Sequence, residues 1–402
     1  MKQILLFMAV ILCLSTFTVG QTYQTVYTFP NEMSGDDITS PLVFDTAGNA
    51  YGTSFSGGSS YGVNCSFYGG CGIVFKIAPG AKRTTLHNFG LTASDGQTPY
   101  AGVVLDAAGN LYGTTFYGGA KNLGTVFKLD GTGKETILHT FNGQTDGANP
   151  KGGLLLDPAG NLYGTTEFGG DMSKCSGEGC GTIFQISASG QFKLLYTFTG
   201  GKDGGGPVAA LIRDSTGNLY GTALSGGTTI YGVVFKLSAS GTFTLLHPFK
   251  CGASDGGEPS APLSRDAAGN LYGTTTFCGV NNAGTVFKLD TNGNLTLLHS
   301  FSGPTDGQYP TGGLAIGSQG TLYGTTSTSG PGGFGTLYSL DSSGSFTVLH
   351  NFAGAPNDGA EPDAAPTFNA SGTLYGTAAI GGSGDCPPGL SVGCGTIFKF
   401  VP

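Results

Sequence analysis

The sequence predicts an all-β fold, a seven-bladed β-propeller of four-stranded antiparallel blades, on three observations. First, the triplet Tyr-Gly-Thr occurs seven times, beginning at Tyr51, Tyr112, Tyr163, Tyr220, Tyr272, Tyr323 and Tyr375. Second, two more elements recur seven times each: Gly-x-x-aromatic, ending at Phe75, Phe127, Phe184, Phe235, Phe287, Tyr338 and Phe398, and an aromatic at Phe29, Phe89, Phe141, Phe198, Phe249, Phe301 and Phe352, mostly written Leu-His-x-Phe. Third, the strand count closes. The chain opens with a lone fourth strand, continues through six full units and stops after three strands. If the first strand joins the last three, the ring has seven complete sheets and no unpaired edge. An open solenoid is the alternative, but it calls for polar end caps that neither end displays. The 74 Gly argue against long helices, since each costs a helix interior about 1 kcal/mol. The long fixed period and 39% apolar content exclude collagen and disorder.

Within a unit, strand a is the apolar run Gly153 to Asp157, which enters an Asp-x-x-Gly turn, and strand b is Asn161 to Thr166. Strand c is Gly181 to Ile186 and strand d is Phe192 to Phe198. These are short runs rich in β-branched and aromatic residues, bounded by Gly, Asn, Asp and Ser, which is the signature of a meander. The lone first strand is Tyr23 to Phe29, and the last ends at Phe400.

The c and d aromatics stand 14 residues apart in all six units where both follow in order. The b Tyr and c aromatic stand 15 apart in four units, but 24, 21 and 23 apart in the units that hold, respectively, Cys65 with Cys71, Cys175 with Cys180, and Cys386 with Cys394. Every lengthened b-c loop carries its own Cys pair, which predicts three loop-closing disulfides worth about 2 kcal/mol each. Cys251, in a d-to-a crossing, and Cys278, in the next b-c loop, fall at the same end of the meander and form the expected fourth. No His adjoins these Cys, which disfavours zinc.

Residues 1–20 read as a signal peptide: Lys2, an apolar run Ile4 to Leu14, then small residues to a cleavage point near Gly20. The expectation is a signal followed by one seven-repeat domain over 21–402, exported to the extracellular space or periplasm without membrane insertion. A net charge of −8 argues against nucleic acid as partner.

Catalytic candidates are scarce. All five His (His87, His139, His247, His299, His350) share one place in strand d, where the other two copies have Tyr27 and Tyr196. Tyr can replace the packing and one hydrogen bond of His but not an imidazole base, so these are read as structural. Asp95, Asp146, Asp203, Asp255, Asp306 and Asp358 begin Asp-Gly-x-x-Pro crossings, with Asp37 to Pro41 as a degenerate seventh. They are read as turns. A ring of carboxylates binding Ca²⁺ is the weaker reading, since each crossing offers one carboxylate where Ca²⁺ wants six to eight oxygens. The expected cofactor set is therefore empty.

Departures from the repeat are more informative. Arg213 and Arg265 replace apolar residues at the end of strand a, where two cations near a central channel would suit an anion or a sugar carboxylate. The residue before the crossing Pro varies, with Glu258, Tyr309 and Glu361 the candidates for ligand contact. Aromatics in the b-c loops (Tyr61, Phe67, Tyr68, Phe116, Tyr117, Phe168, Tyr231, Phe277, Phe334) are of the kind that stack on sugars.

The unit Gly-Asn-Leu-Tyr-Gly-Thr-Thr, then Gly-Thr-Val-Phe-Lys-Leu, then Leu-His-x-Phe, fullest at 107–141 and 267–301, resembles the GloVer-type tandem repeat of exported bacterial proteins. The resemblance implies export and a repeat fold and brings no catalytic residues. The functional expectation is a monomeric secreted scaffold that recognises a glycan or an envelope protein through its b-c and d-a loop face. The alternatives are a glycosidase or polysaccharide lyase using Glu258 and Glu361 with Arg213 or Arg265, and a structural envelope component.

Overall fold

A computed structural model describes residues 21–59, 65, 69–384, 386 and 393–402. The leader and the loop aromatics Tyr61, Phe67 and Tyr68 lie outside the described residues. Seven four-stranded antiparallel sheets form the ring. Blade 3 shows the pattern, with a Leu155–Leu156, b Leu162–Thr166, c Thr182–Ile186 and d Phe192–Thr197. Blades 1 to 6 occupy 43–88, 104–140, 155–197, 212–248, 264–300 and 315–351. Blade 7 is composite: Thr367–Phe368, Leu374–Ala378 and Thr396–Val401 are completed by the first strand, Thr22–Thr28, with Thr25 opposite Phe398. No helix among the described residues is long and apolar enough to cross a membrane.

All four expected disulfides are formed, in the expected pairing. Cys65 is bonded to Cys71, Cys175 to Cys180 and Cys386 to Cys394, each within its own lengthened b-c loop. Cys251 is bonded to Cys278, which ties the crossing that enters blade 5 to the b-c loop of that blade. Cys71, Cys180 and Cys394 are buried and stand just before strand c of their blades, so each bridge anchors its loop where the sheet begins.

The seams between blades explain the repeated residues. In each Tyr-Gly-Thr, the Thr hydroxyl donates to a carbonyl three residues before strand a of the next blade. Thr53 reaches Ala101, Thr114 Gly152, Thr165 Ala209, Thr222 Ala261, Thr274 Gly312 and Thr325 Ala364, and Thr377 closes the belt on Ser40. These sideways bonds shorten strand a. Only two of its residues pair with strand b in each blade, fewer than the sequence predicts, because the stretch before them bonds across the seam. The Gly of the triplet leaves room for the strand-c aromatic of its own blade. That ring in turn meets the aromatic after strand d of the preceding blade edge-on, in all seven seams, from Phe29 with Phe75 at 5.2 Å to Phe352 with Phe398 at 5.2 Å. Seven apolar clusters result, one wedged in each seam, and they surround an open channel.

Strand d carries a β-bulge at the same place in every blade, where one extra residue (Leu138 in blade 2, Val26 in blade 7) is left unpaired. A one-residue insertion reverses which side chains face which way downstream. In five blades the next residue, His or Tyr, then meets the carboxylate of the following crossing. His139 reaches Asp146 at 3.0 Å, His299 Asp306 at 2.9 Å, His350 Asp358 at 2.7 Å and His247 Asp255 at 3.3 Å, while Tyr196 donates to Asp203 at 3.0 Å. The structural reading of these His holds in those four blades.

Candidate functional site

The d-to-a crossings and the b-c loops lie at one end of the channel. At each crossing one residue adopts a left-handed backbone: Asp37, Thr98, Asn149, Gly206, Glu258, Tyr309 and Glu361 have φ of 53–63°. The backbone N–H of Glu258 donates to the Tyr231 carbonyl of the preceding blade, and its own carbonyl accepts from Thr276 of the b-c side of its blade. The seventh crossing is therefore offset from the sequence reading. Asp37 stands where the others have the residue before Pro, since Phe55 N–H donates to its carbonyl, and Ile38 replaces the Pro. Ser34 then takes the position of the crossing Asp.

Two residues beyond each left-handed position, a ring of seven side chains, alike only at Thr39 and Thr311, lines a cavity of about 520 Å³ at the channel mouth: Thr39, Tyr100, Lys151, Val208, Ser260, Thr311 and Asp363. Small residues (Pro41, Gly102, Gly153, Ala210, Pro262, Gly313, Ala365) form the next layer and keep it open. Of the sequence candidates, Glu258 lines this cavity, whereas Tyr309 and Glu361 belong to the crossings above it. Tyr309 packs against Phe277, ring centroids 5.2 Å apart. Arg213 and Arg265 sit at the other end, beside the a-b turns, with their guanidinium groups next to Gly217 and Gly269. Both are exposed, so the fold does not assemble them with Glu258 and Glu361. The mouth residues follow the crossing Pro and also vary between units. That variability was visible in the sequence, but nothing local says which of two adjacent variable positions faces inward.

The mouth is electrostatically divided. On one side the Lys151 ammonium lies 5.1 Å from the Tyr100 ring, which packs on Phe55 and Phe116. On the other side Asp37, Glu361 and Asp363 crowd together. Burial, then Asp36, Asp363 and Glu361, push Asp37 up to about 7. Burial raises Asp363 as well, partly offset by hydroxyls of Ser327 and Thr311, the latter donating at 2.9 Å. Burial and then Asp363 raise Glu361.

The sign of the pH dependence follows. A carboxyl raised in the folded state binds more protons folded than unfolded, so the stability it contributes is present at low pH and lost as pH rises from about 4 through 7. The a-b turn carboxylates run oppositely. Burial disfavours the charge of Asp45, but hydrogen bonds from Asn49 and Tyr51 outweigh it, so Asp45 is held low and its contribution is lost only as pH falls below 3.8. Melting temperature between pH 5 and 8 therefore falls with rising pH in the wild type and less steeply in Asp37→Asn. Parallel curves for the two proteins would contradict this placement of Asp37.

A disulfide-tied seven-bladed β-propeller with an open, chemically varied channel mouth is the class of protein that this geometry defines. The chain belongs to the Gloeobacter/Verrucomicrobia repeat family, which matches residues 13–177 and 172–398. No curated protein matches it. Among solved structures it is similar to the extracellular domain of a hybrid two component system from B. thetaiotaomicron (14% identity, TM-score 0.58, covering 95% of this chain and 41% of that one). It is also similar to the extracellular domain of a one component system from the same organism (12% identity, TM-score 0.56, covering 93% of this chain and 39% of that one). The chain thus spans about two fifths of the length of those proteins, and at these identities the likeness concerns the fold.

Proposed function

We propose that the chain is an exported recognition scaffold whose channel mouth binds a polar extracellular ligand, a glycan segment in the first instance. The observation that carries this is the contrast at the mouth: a backbone ring held the same way in seven blades presents six kinds of side chain at seven positions around a cavity of about 520 Å³. A rigid frame with variable side chains is how scaffolds create specificity. An aromatic face at Tyr100, hydroxyls at Thr39, Ser260 and Thr311, carboxylates at Glu258 and Asp363 and the cation of Lys151 suit a sugar's mix of apolar ring faces and hydroxyls. Four disulfides fit export into an oxidising compartment.

On a glycan array the wild type binds a defined set of structures. Lys151→Ala and Asp363→Asn each lower affinity about tenfold or more, as expected for loss of a charged hydrogen bond, while Arg213→Ala at the other end has no effect. Loss of binding in Arg213→Ala instead would move the site to the opposite end. An empty array with specific capture of one envelope protein at the same mouth would identify a protein ligand.

A second reading is favoured by the carboxylates. Asp37, raised to about 7 by burial and the neighbouring Asp36, Asp363 and Glu361, holds a proton near neutral pH, as the general acid of glycoside hydrolysis must. Hydrolysis of a polysaccharide panel by the wild type and not by Asp37→Asn would establish it.

A further inference from the structure

Four residues before the strand-d His or Tyr, most blades place a ring that stacks on the His or Tyr of the preceding blade. Phe192 stacks on His139 at 4.0 Å, Phe243 on Tyr196 at 4.6 Å, Phe346 on His299 at 3.8 Å and Tyr23 on His350 at 3.5 Å. Blade 2 has Glu135 in that position. Its carboxylate comes within 3.7 Å of His87 Nε2, and the His87–Asp95 approach, a hydrogen bond in the equivalent pairs, opens to 3.6 Å. One ligand atom from each of the three residues falls within 4.8 Å of the other two.

His87 Nε2, Asp95 Oδ1 and Glu135 Oε1 are all buried and make no hydrogen bond. The Asp95 side chain is only 3% exposed, and this oxygen lies within 4.8 Å of both His87 Nε2 and Glu135 Oε1. Its second oxygen is held by the Leu91 N–H at 2.9 Å, which fixes the carboxylate's orientation. Buried polar atoms left without a partner cost about 1–3 kcal/mol each. Two of the three separations come close to those of a coordination shell: two ligands about 2.1 Å from a tetrahedral ion lie about 3.4 Å apart, against 3.6 and 3.7 Å from His87 Nε2 to the two carboxylates.

We propose that His87, Asp95 and Glu135 form a three-ligand site for a first-row divalent cation, with Zn²⁺ the reference ion, that clamps blade 1 to blade 2 on the outer rim of the ring. One imidazole nitrogen with two carboxylates suits such an ion and is a poor match for Ca²⁺ or Mg²⁺, which take oxygen ligands. The site is separate from the channel mouth and independent of its ligand.

The test uses the whole processed chain, stripped with EDTA and desalted, and titrated calorimetrically with ZnCl₂ and with MnCl₂ at neutral pH. One equivalent of at least one ion binds and raises the melting temperature. Glu135→Phe, which installs the residue found at this position in three other blades, folds and binds at least about 100-fold more weakly, a larger loss than outer-shell changes produce. His87→Tyr, the residue at this place in two other copies, behaves the same way. Affinity falls as pH drops because the ligands must be deprotonated. Absence of a bound equivalent in the wild type, the outcome if the two carboxylates share a proton instead, overturns the proposal. So does undiminished binding by Glu135→Phe.

Discussion

A chain lacking Thr22–Phe29 is expected to lose cooperative folding and to aggregate, with no soluble monomer recovered at neutral pH. This segment is the outer strand of blade 7, paired over six register positions with Thr396–Val401. It brings fully buried Phe29 into the seam with blade 1 and half-buried Tyr23, Val26 and Tyr27 against the neighbouring clusters. Full burial of one such side chain contributes about 1.5–3 kcal/mol and half-burial proportionately less, so the four together supply a large share of the 5–15 kcal/mol of a typical domain. Tyr23 also donates to Asp358 at 2.8 Å, so its loss undoes a crossing that blade 6 shares. The open ring exposes the edge of strand c in blade 7, a template for pairing with another chain. Size exclusion and thermal melting check the result, and a truncated protein that melts as a monomer at the wild-type temperature would refute the closure. A synthetic peptide spanning residues 21–30, added during refolding, restores part of the monomer.

Gly113→Ala is expected to cost about 3 kcal/mol or more, at the upper end for overpacking, while Gly131→Ala stays within about 0.5 kcal/mol. A Cβ at position 113 would stand 2.5 Å from Phe127 Cζ, 2.8 Å from its Cε1 and 3.3 Å from Val103, whereas at position 131 it meets nothing within 4 Å. The Phe127 ring is fully buried and held edge-on by Phe89 at 5.0 Å, so it has nowhere to swing. Shortening the ring with Phe127→Leu in the same chain recovers at least about 1 kcal/mol of the loss as a coupling term. Denaturant midpoints are measured for the wild type, the two glycine variants, Phe127→Leu alone and the double variant. Equal midpoints for the two glycine variants would mean that the seam yields where it is described as rigid.

Much of this molecule was legible before its coordinates. The seven Tyr-Gly-Thr triplets marked strand b, the constant 14-residue spacing marked the c-d hairpin, and the lone first strand implied its own partner. The pairing of Cys65 with Cys71, Cys175 with Cys180 and Cys386 with Cys394 followed from loop length, because insertions and Cys pairs coincide. What stayed hidden was direction. The bulge at Leu138 and its equivalents reverses the side chains beyond it, which is why His139 meets Asp146. The left-handed residue at each crossing likewise left its successor by two, Lys151 or Asp363, to line the mouth. Arg213 and Arg265 stood out by composition, yet strand direction carries them to the far end of the channel from Glu258.

Blade number, strand order, ring closure and cysteine pairing were determined by the sequence alone. Each is a matter of local pattern and spacing, repeated around the ring, so the signals reinforce one another. The chemistry of the channel mouth and the meeting of Glu135 with His87 and Asp95 were decided only by the tertiary structure. Those residues belong to different blades and are brought within a few ångströms by the way successive sheets pack around the axis, an arrangement that no stretch of the chain encodes on its own.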